Sequence, residues 1–236
     1  MINKQSNIYT IIYIIVLVVV VGSALAMTAL SLKEKQQANE DNDRRKQILA
    51  SVNITPDPAQ ISADFEKYIT SQLVVNADGD SIGDNAFDVS VQKQIKNDAA
   101  NRQLPLFICT LDGSKKYIIP LYGAGLWGPI WGYIALDSDG STVYGAYFDH
   151  QGETPGLGAE ITTEHFRGQF AGKELFKDDQ FFPVTVVKQG QKPQDNSDYV
   201  YGISGGTITS KGVAAMLDDC LKPYQAYLTK LSSNGR

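Results

Sequence analysis

Two cysteines, two histidines and no surplus of basic residues leave this 236-residue chain without the raw material for several common chemistries. Cys109 and Cys220 lie far apart with no CxxC spacing, and adding His150 and His165 yields no recognisable zinc or iron–sulfur ligand set. The spacing favours two free, buried thiols over a bridge. Neither histidine has a serine or cysteine nucleophile at a recognisable distance, so both read as surface or structural residues. The formal net charge of −5 argues against nucleic acid as a partner, because nothing is left over to neutralise phosphates along a strand.

The most uneven absence is of charge itself. From Ile8 to Leu32 there is no charged residue, and Ile11 to Val21 is almost wholly aliphatic. As a helix this stretch spans ~37 Å, enough for a hydrocarbon core of roughly 30 Å with some tilt. Ala24-Leu25-Ala26 resembles a signal-peptidase site, but apolar residues continue through Leu32, longer than a signal core, so a retained single-span anchor is favoured. Only Lys4 precedes the span, whereas Lys33, Lys35, Arg44, Arg45 and Lys46 follow it among several acids. Charge bias alone therefore leans towards a cytoplasmic domain.

Beyond the span the chain is large enough for one well-buried domain. The expected layout is a short tail over 1–7, a transmembrane helix over 8–32, a polar helix or linker over 33–55, and a domain over 56–236. Asp57-Pro58 reads as an N-cap followed by proline at the first helical position, with a helix over 58–73. Two hairpins follow: strands 107–111 and 117–121 about Asp112-Gly113, then 130–136 and 142–148 about Asp137-Gly140. A short helix is expected within 161–172, and strands at 182–187 and 199–203. Val213, Leu217, Cys220, Leu221, Tyr224, Leu228 and Leu231 form a helical stripe that should bend near Pro223. The class is α+β, with meandering antiparallel strands and helices behind one N-terminal span.

Three segments carry chemistry. Ser204-Gly205-Gly206-Thr207 leads from a β-prone run into a helix, and Thr209 and Ser210 follow. A helix start offers unpartnered N–H groups and partial positive charge, glycines allow a phosphate to come close, and the hydroxyls can cap the helix or carry a covalent group. It is not a P-loop. Ser210 stands where glycine is needed, and Gly212 where the magnesium-binding hydroxyl belongs. The second segment, Gly152 to Gly158, contains Thr154-Pro155-Gly156-Leu157, which fits a type II turn. Its fixed backbone, with Glu153 and Thr154 as polar handles and Leu157 and Gly158 beyond, can face a flat ligand. The third, Gly123 to Tyr133, sets Leu126 and Trp127 among glycines, as a core segment or the wall of a ring-binding cleft.

Taken in order, the membrane span, Gly125-Leu126-Trp127-Gly128-Pro129-Ile130-Trp131-Gly132-Tyr133-Ile134-Ala135-Leu136-Asp137, Gly152-Glu153-Thr154-Pro155-Gly156-Leu157-Gly158 and Ser204-Gly205-Gly206-Thr207-Ile208-Thr209-Ser210 closely resemble one family. It is that of the C subunits of the sodium-translocating NADH:quinone oxidoreductases, whose FMN-binding domain is shared with the G subunits of Rnf complexes. The resemblance implies FMN joined through its phosphate to a threonine, which is Thr207 here, by a flavin transferase. Ser204, Gly205, Gly206, Thr209 and Ser210 would surround the phosphate. Leu126, Trp127, Glu153, Thr154, Gly156, Leu157 and Gly158 would surround the ring. This chain departs from the family at Gly206, usually alanine, and at Tyr201, usually aspartate. The resemblance further implies an electron carrier without a general acid or base, other members of a membrane complex as partners, and a domain on the periplasmic side of a bacterial inner membrane. The alternatives are the FMN protein of an Rnf complex or an anchored, cofactor-free binding module.

Overall fold

A computed structural model describes residues 7–234, and the chain divides into two units at Arg44/Arg45. One helix, α1 (Asn7–Ser51), runs through both. In the first unit it is the one helix among the described residues that is long and apolar enough to cross a membrane, and its aliphatic side chains are exposed. The polar segment after Leu32 continues the same helix without a break. Of the expected tail at 1–7, all but Asn7 lies outside the described residues.

In the second unit, α2 (Ile61–Tyr68) is shorter than the helix expected over 58–73. Asp57 instead takes the Ala59 amide in a turn, and from Ile69 the β-branched run leaves the helix to form strand β1 (Ile69–Val75). Strand β2 (Ser81–Gly83) and a single turn, α3 (Val91–Gln94), come next. Then follow β3 (Leu104–Leu111), β4 (Ser114–Ala124), β5 (Pro129–Leu136) and β6 (Val143–His150). Pairing explains the early end of α2, since β1 lies antiparallel to β3 along most of its length. Both hairpins fall where the turn residues put them. Asp112 and Gly113 have φ of 50° and 77°, the left-handed pair a two-residue hairpin turn needs.

The six strands make one antiparallel sheet in the order β2-β1-β3-β4-β5-β6. Side chains alternate between its faces, and both faces are covered. On one, Tyr117, Ile119 and Leu121 of β4 and Ile130 and Ile134 of β5 join the helices nearer the C-terminus. On the other, Ile118, Tyr133 and Ala135 meet Ile48, Leu49 and Val52 at the end of α1 and Phe65 of α2.

The helix expected within 161–172 is broken into a 3-10 turn (Gly158–Thr162), α4 (Glu164–Arg167) and a second 3-10 turn (Gly168–Phe170). Phe166 and Phe170 pack with Phe148 at centroid distances of 5.0–5.8 Å, so tertiary packing shapes this stretch. A small hairpin, β7 (Phe176–Lys177) and β8 (Gln180–Phe181), precedes β9 (Thr185–Val187) and β10 (Tyr199–Tyr201). These last two pair in parallel, a departure from the all-antiparallel expectation. Then α5 (Thr207–Leu221) packs across β4, and α6 (Gln225–Asn234) follows a 3-10 turn at Lys222–Tyr224 that contains Pro223, the expected bend. Arg102 fixes the far end of α5. It bonds the Asp219 carboxylate at 3.1 Å together with the carbonyls of Asp219, Ile95 and Asn97.

Candidate functional site

Three loops from distant parts of the sequence converge at the start of α5. The first is the tip of the β4–β5 hairpin, closed by Gly125 N–H donating to Gly128 C=O at 2.8 Å. It lifts Trp127 into solvent with 69 % of its surface exposed, and Leu126 beside it is exposed too. The segment divides between the two roles open to it: Leu126 and Trp127 stand exposed at a cleft wall, while Ile130 and Tyr133 lie in the core. The second loop, after β6, holds the expected type II turn: Leu157 N–H reaches Thr154 C=O at 3.1 Å, and Gly156 has φ of 76°. The third joins β10 to α5 through Gly205, at φ of 77°, and Gly206.

Together these loops enclose a hollow of about 380 Å³. Leu126, Trp127, Glu153, Thr154, Leu157, Gly158, Gly205, Gly206, Thr207 and Thr209 line it, all of them singled out in the sequence, and Ile208 completes it. Gly156 shapes the turn without lining the hollow. Thr207 and Gly205 also border a second hollow of about 770 Å³, with Ser204, Ser210, Lys188 and Lys211. Thr207 is thus the threshold between two spaces. The two lysines are additions to the expected set. Lys211 directly follows the motif and was within reach, whereas Lys188 gains its place only through the β9–β10 pairing.

Glu153 ties the first hollow together. It is only 5 % exposed, and its Oε1 accepts the Trp127 N–H at 2.8 Å while Oε2 accepts the Thr209 hydroxyl at 2.5 Å. Burial pushes this carboxyl up, but bonds from Thr209 and from the Trp127 and Leu126 amides outweigh it and hold the group below its ordinary value of 4.5. It is a carboxylate at neutral pH. The expectation that Thr209 or Ser210 caps the helix fails for the same reason, since both hydroxyls have tertiary partners. Thr209 is the third residue of α5 and turns to Glu153, while Ser210 Oγ accepts the Ile203 N–H at 2.9 Å. No side chain caps α5 at Gly206, and the Thr207 hydroxyl makes no hydrogen bond among the described residues.

Other expectations are met by position. Cys109 and Cys220 are buried, unbridged thiols, each pushed up to about 11 chiefly by burial. His150 is structural, its Nδ1 accepting the Glu153 N–H at 3.1 Å. Glycine fits at position 206, where a Cβ would stand 3.1 Å from Ile203 Cγ2 and 3.3 Å from the Gly158 nitrogen, so an alanine would require its neighbours to give.

Residues 125–222 match the FMN-binding domain family. The C subunit of the Na(+)-translocating NADH-quinone reductase of Vibrio vulnificus is 32 % identical, over 92 % of this chain and 94 % of that protein. The chain belongs to the family of C subunits of Na(+)-translocating NADH-quinone reductases. Solved members agree in fold. The crystal structure of the Parabacteroides distasonis member is 47 % identical, with a TM-score of 0.79 over 84 % of this chain and 97 % of its own. That of Shewanella oneidensis NqrC is 27 % identical, with a TM-score of 0.69 over 83 % and 99 %. The family match begins at the hairpin tip and spans all three converging loops, so the hollows lie within the FMN-binding domain.

Proposed function

We propose that this chain is the FMN-carrying electron-transfer subunit of a sodium-pumping NADH:quinone oxidoreductase, with FMN joined to Thr207 by a phosphoester. The observation that carries the reading is the position of Thr207. Its unengaged hydroxyl stands at an uncapped helix start, between an apolar hollow and a lysine-bearing one. The residues present fit such a group. Among the described residues the first-turn amides of α5 have no side-chain partner and suit a phosphate, and the first hollow has the size for a flat ring system.

FMN, when bound, supplies a centre that accepts and releases electrons singly. The protein's part is placement. Trp127, Leu126, Leu157 and Ile208 would wall the ring, while Gly205 and Gly206, without side chains, leave the approach to Thr207 open. Lys188 and Lys211 would balance the phosphoester's remaining charge. No residue is required as a general acid or base, so the protein relays electrons between neighbouring centres on the route from NADH to quinone and leaves their chemistry to the rest of the complex.

Under the same proposal residues 8–32 form a membrane span, 33–55 its polar continuation and 56–236 the flavin domain. The domain is proposed to face the periplasm of a bacterial inner membrane. The flanking charge favours the opposite, but that rule binds short flanks and not long translocated domains. Maturation then needs a flavin transferase.

Mass spectrometry of the intact chain, co-expressed with a flavin transferase, tests the linkage. The expected gain is one FMN less one water, absent from Thr207→Val. An unmodified wild-type chain would overturn the reading, and a label retained in Thr207→Val would move it to Thr209 or Ser210.

A further inference from the structure

A buried charge in a largely apolar hollow has a reason to be there, and Glu153 is the one charged side chain lining the space beside Trp127. Three segments are built around its carboxylate. The hairpin tip donates the Trp127 amide to Oε1 and α5 donates the Thr209 hydroxyl to Oε2. Gly125 and Gly158 close in from either side. A Cβ at Gly125 would come within 2.5 Å of Oε1, and one at Gly158 would strike Oε2 and the Thr209 hydroxyl. Both positions leave the carboxylate the room it occupies.

The backbone of Glu153 is held from behind as well. Its N–H donates to His150 Nδ1 at 3.1 Å, and the His150 N–H donates to Asp149 Oδ1 at 2.8 Å. Asp149 Oδ2 accepts the Tyr147 hydroxyl at 3.2 Å and Gln47 Nε2 at 3.4 Å, and Gln47 Oε1 accepts Trp131 Nε1 at 3.2 Å. A continuous line of hydrogen bonds therefore runs from the last turns of α1 to the start of α5, with Glu153 at its functional end.

The geometry points to Glu153 as a positioning residue with two effects: it locks the Leu126–Trp127 tip to the attachment helix, and its fixed negative charge disfavours adding an electron to the ring. This rests on the reading of FMN at Thr207. The second effect follows from Coulomb's law. A carboxylate sheltered from water opposes further negative charge nearby more strongly than an exposed one does.

Two variants separate the effects. Glu153→Gln keeps an oxygen for the Trp127 amide and an amide that can donate to Thr209, so the lock persists while the charge goes. Glu153→Ala removes both. In the full chain in detergent, before flavin attachment, amide hydrogen exchange at Leu126 and Trp127 should rise at least tenfold in Glu153→Ala and stay near wild type in Glu153→Gln. After attachment, a mediated spectroelectrochemical titration, in which the electrode supplies and withdraws the electrons, should show a higher midpoint potential in Glu153→Gln. The expected size is roughly a tenfold shift in the one-electron equilibrium, about 59 mV. Unchanged exchange in Glu153→Ala overturns the lock, and an unchanged potential in Glu153→Gln overturns the charge effect. A wild-type chain that takes up no FMN would defeat the functional reading instead, while the exchange measurement would still decide the lock.

Discussion

The two hollows flanking Thr207 differ in how they are built. On one side Trp127, Leu157 and Ile208 are apolar and exposed, yet the backbone that carries them is fastened through one buried carboxylate. On the other, Lys188 and Lys211 are exposed and make no ion pair among the described residues, although the chain carries an excess of acids. The first side is preorganised by buried hydrogen bonds. The second relies on charge that water partly screens. The difference suits the two ends of FMN, because a rigid ring needs a fixed wall and a phosphate needs counter-charge more than shape.

Breaking the fastened side should have the larger effect. Gly158→Ala places a methyl group on Glu153 Oε2 and the Thr209 hydroxyl, so the carboxylate must shift or the bond must part. We expect a loss of about 1–3 kcal/mol in denaturant unfolding, the usual range for overpacking a buried site, together with poorer flavin loading. A variant as stable and as fully loaded as wild type would mean that this wall is compliant.

The same side should also respond to acid. Glu153 is held below its ordinary 4.5 in the folded chain, so its stabilising contribution is present above that pH and is lost as pH falls through the folded value. The stability gap between wild type and Glu153→Gln should therefore be constant from pH 7 down to about 5 and shrink below that. A gap that stayed level down to about pH 3 in chemical denaturation would place its origin elsewhere.

How far these contrasts could be read from sequence depended on how local their causes are. The hairpins at Asp112-Gly113 and Asp137-Gly140 and the type II turn at Thr154–Leu157 rest on residues within a few positions of each other, and all three are found. The helix expected through residue 73 stops at Tyr68 because β3, far along the chain, offers Ile69–Val75 a ladder. Thr209 and Ser210 look like caps until Glu153 and Ile203 engage them. Every lining residue of the first hollow lies within one of the three motifs, Ile208 alone not being named for a role, but the carboxylate joining them is visible only once residues 127, 153 and 209 share one corner. Lys188 had no motif to announce it.

The lysine side gives the smallest effect and the cleanest separation of the two. In a Thr207→Val background FMN can bind only reversibly, and flavin fluorescence reports its affinity. Replacing Lys188 and Lys211 with glutamine should weaken FMN binding by a few-fold, since exposed charges contribute about 0.2–1 kcal/mol each. It should also flatten the dependence on salt. Riboflavin, which has the ring and lacks the phosphate, should bind both proteins equally. If riboflavin weakened in step with FMN, the lysines would be shaping the ring's wall, and the division between a fixed side and a charged side would fall. If FMN alone weakened, the two hollows would be reading the two ends of one ligand, with Thr207 set where ring and phosphate meet.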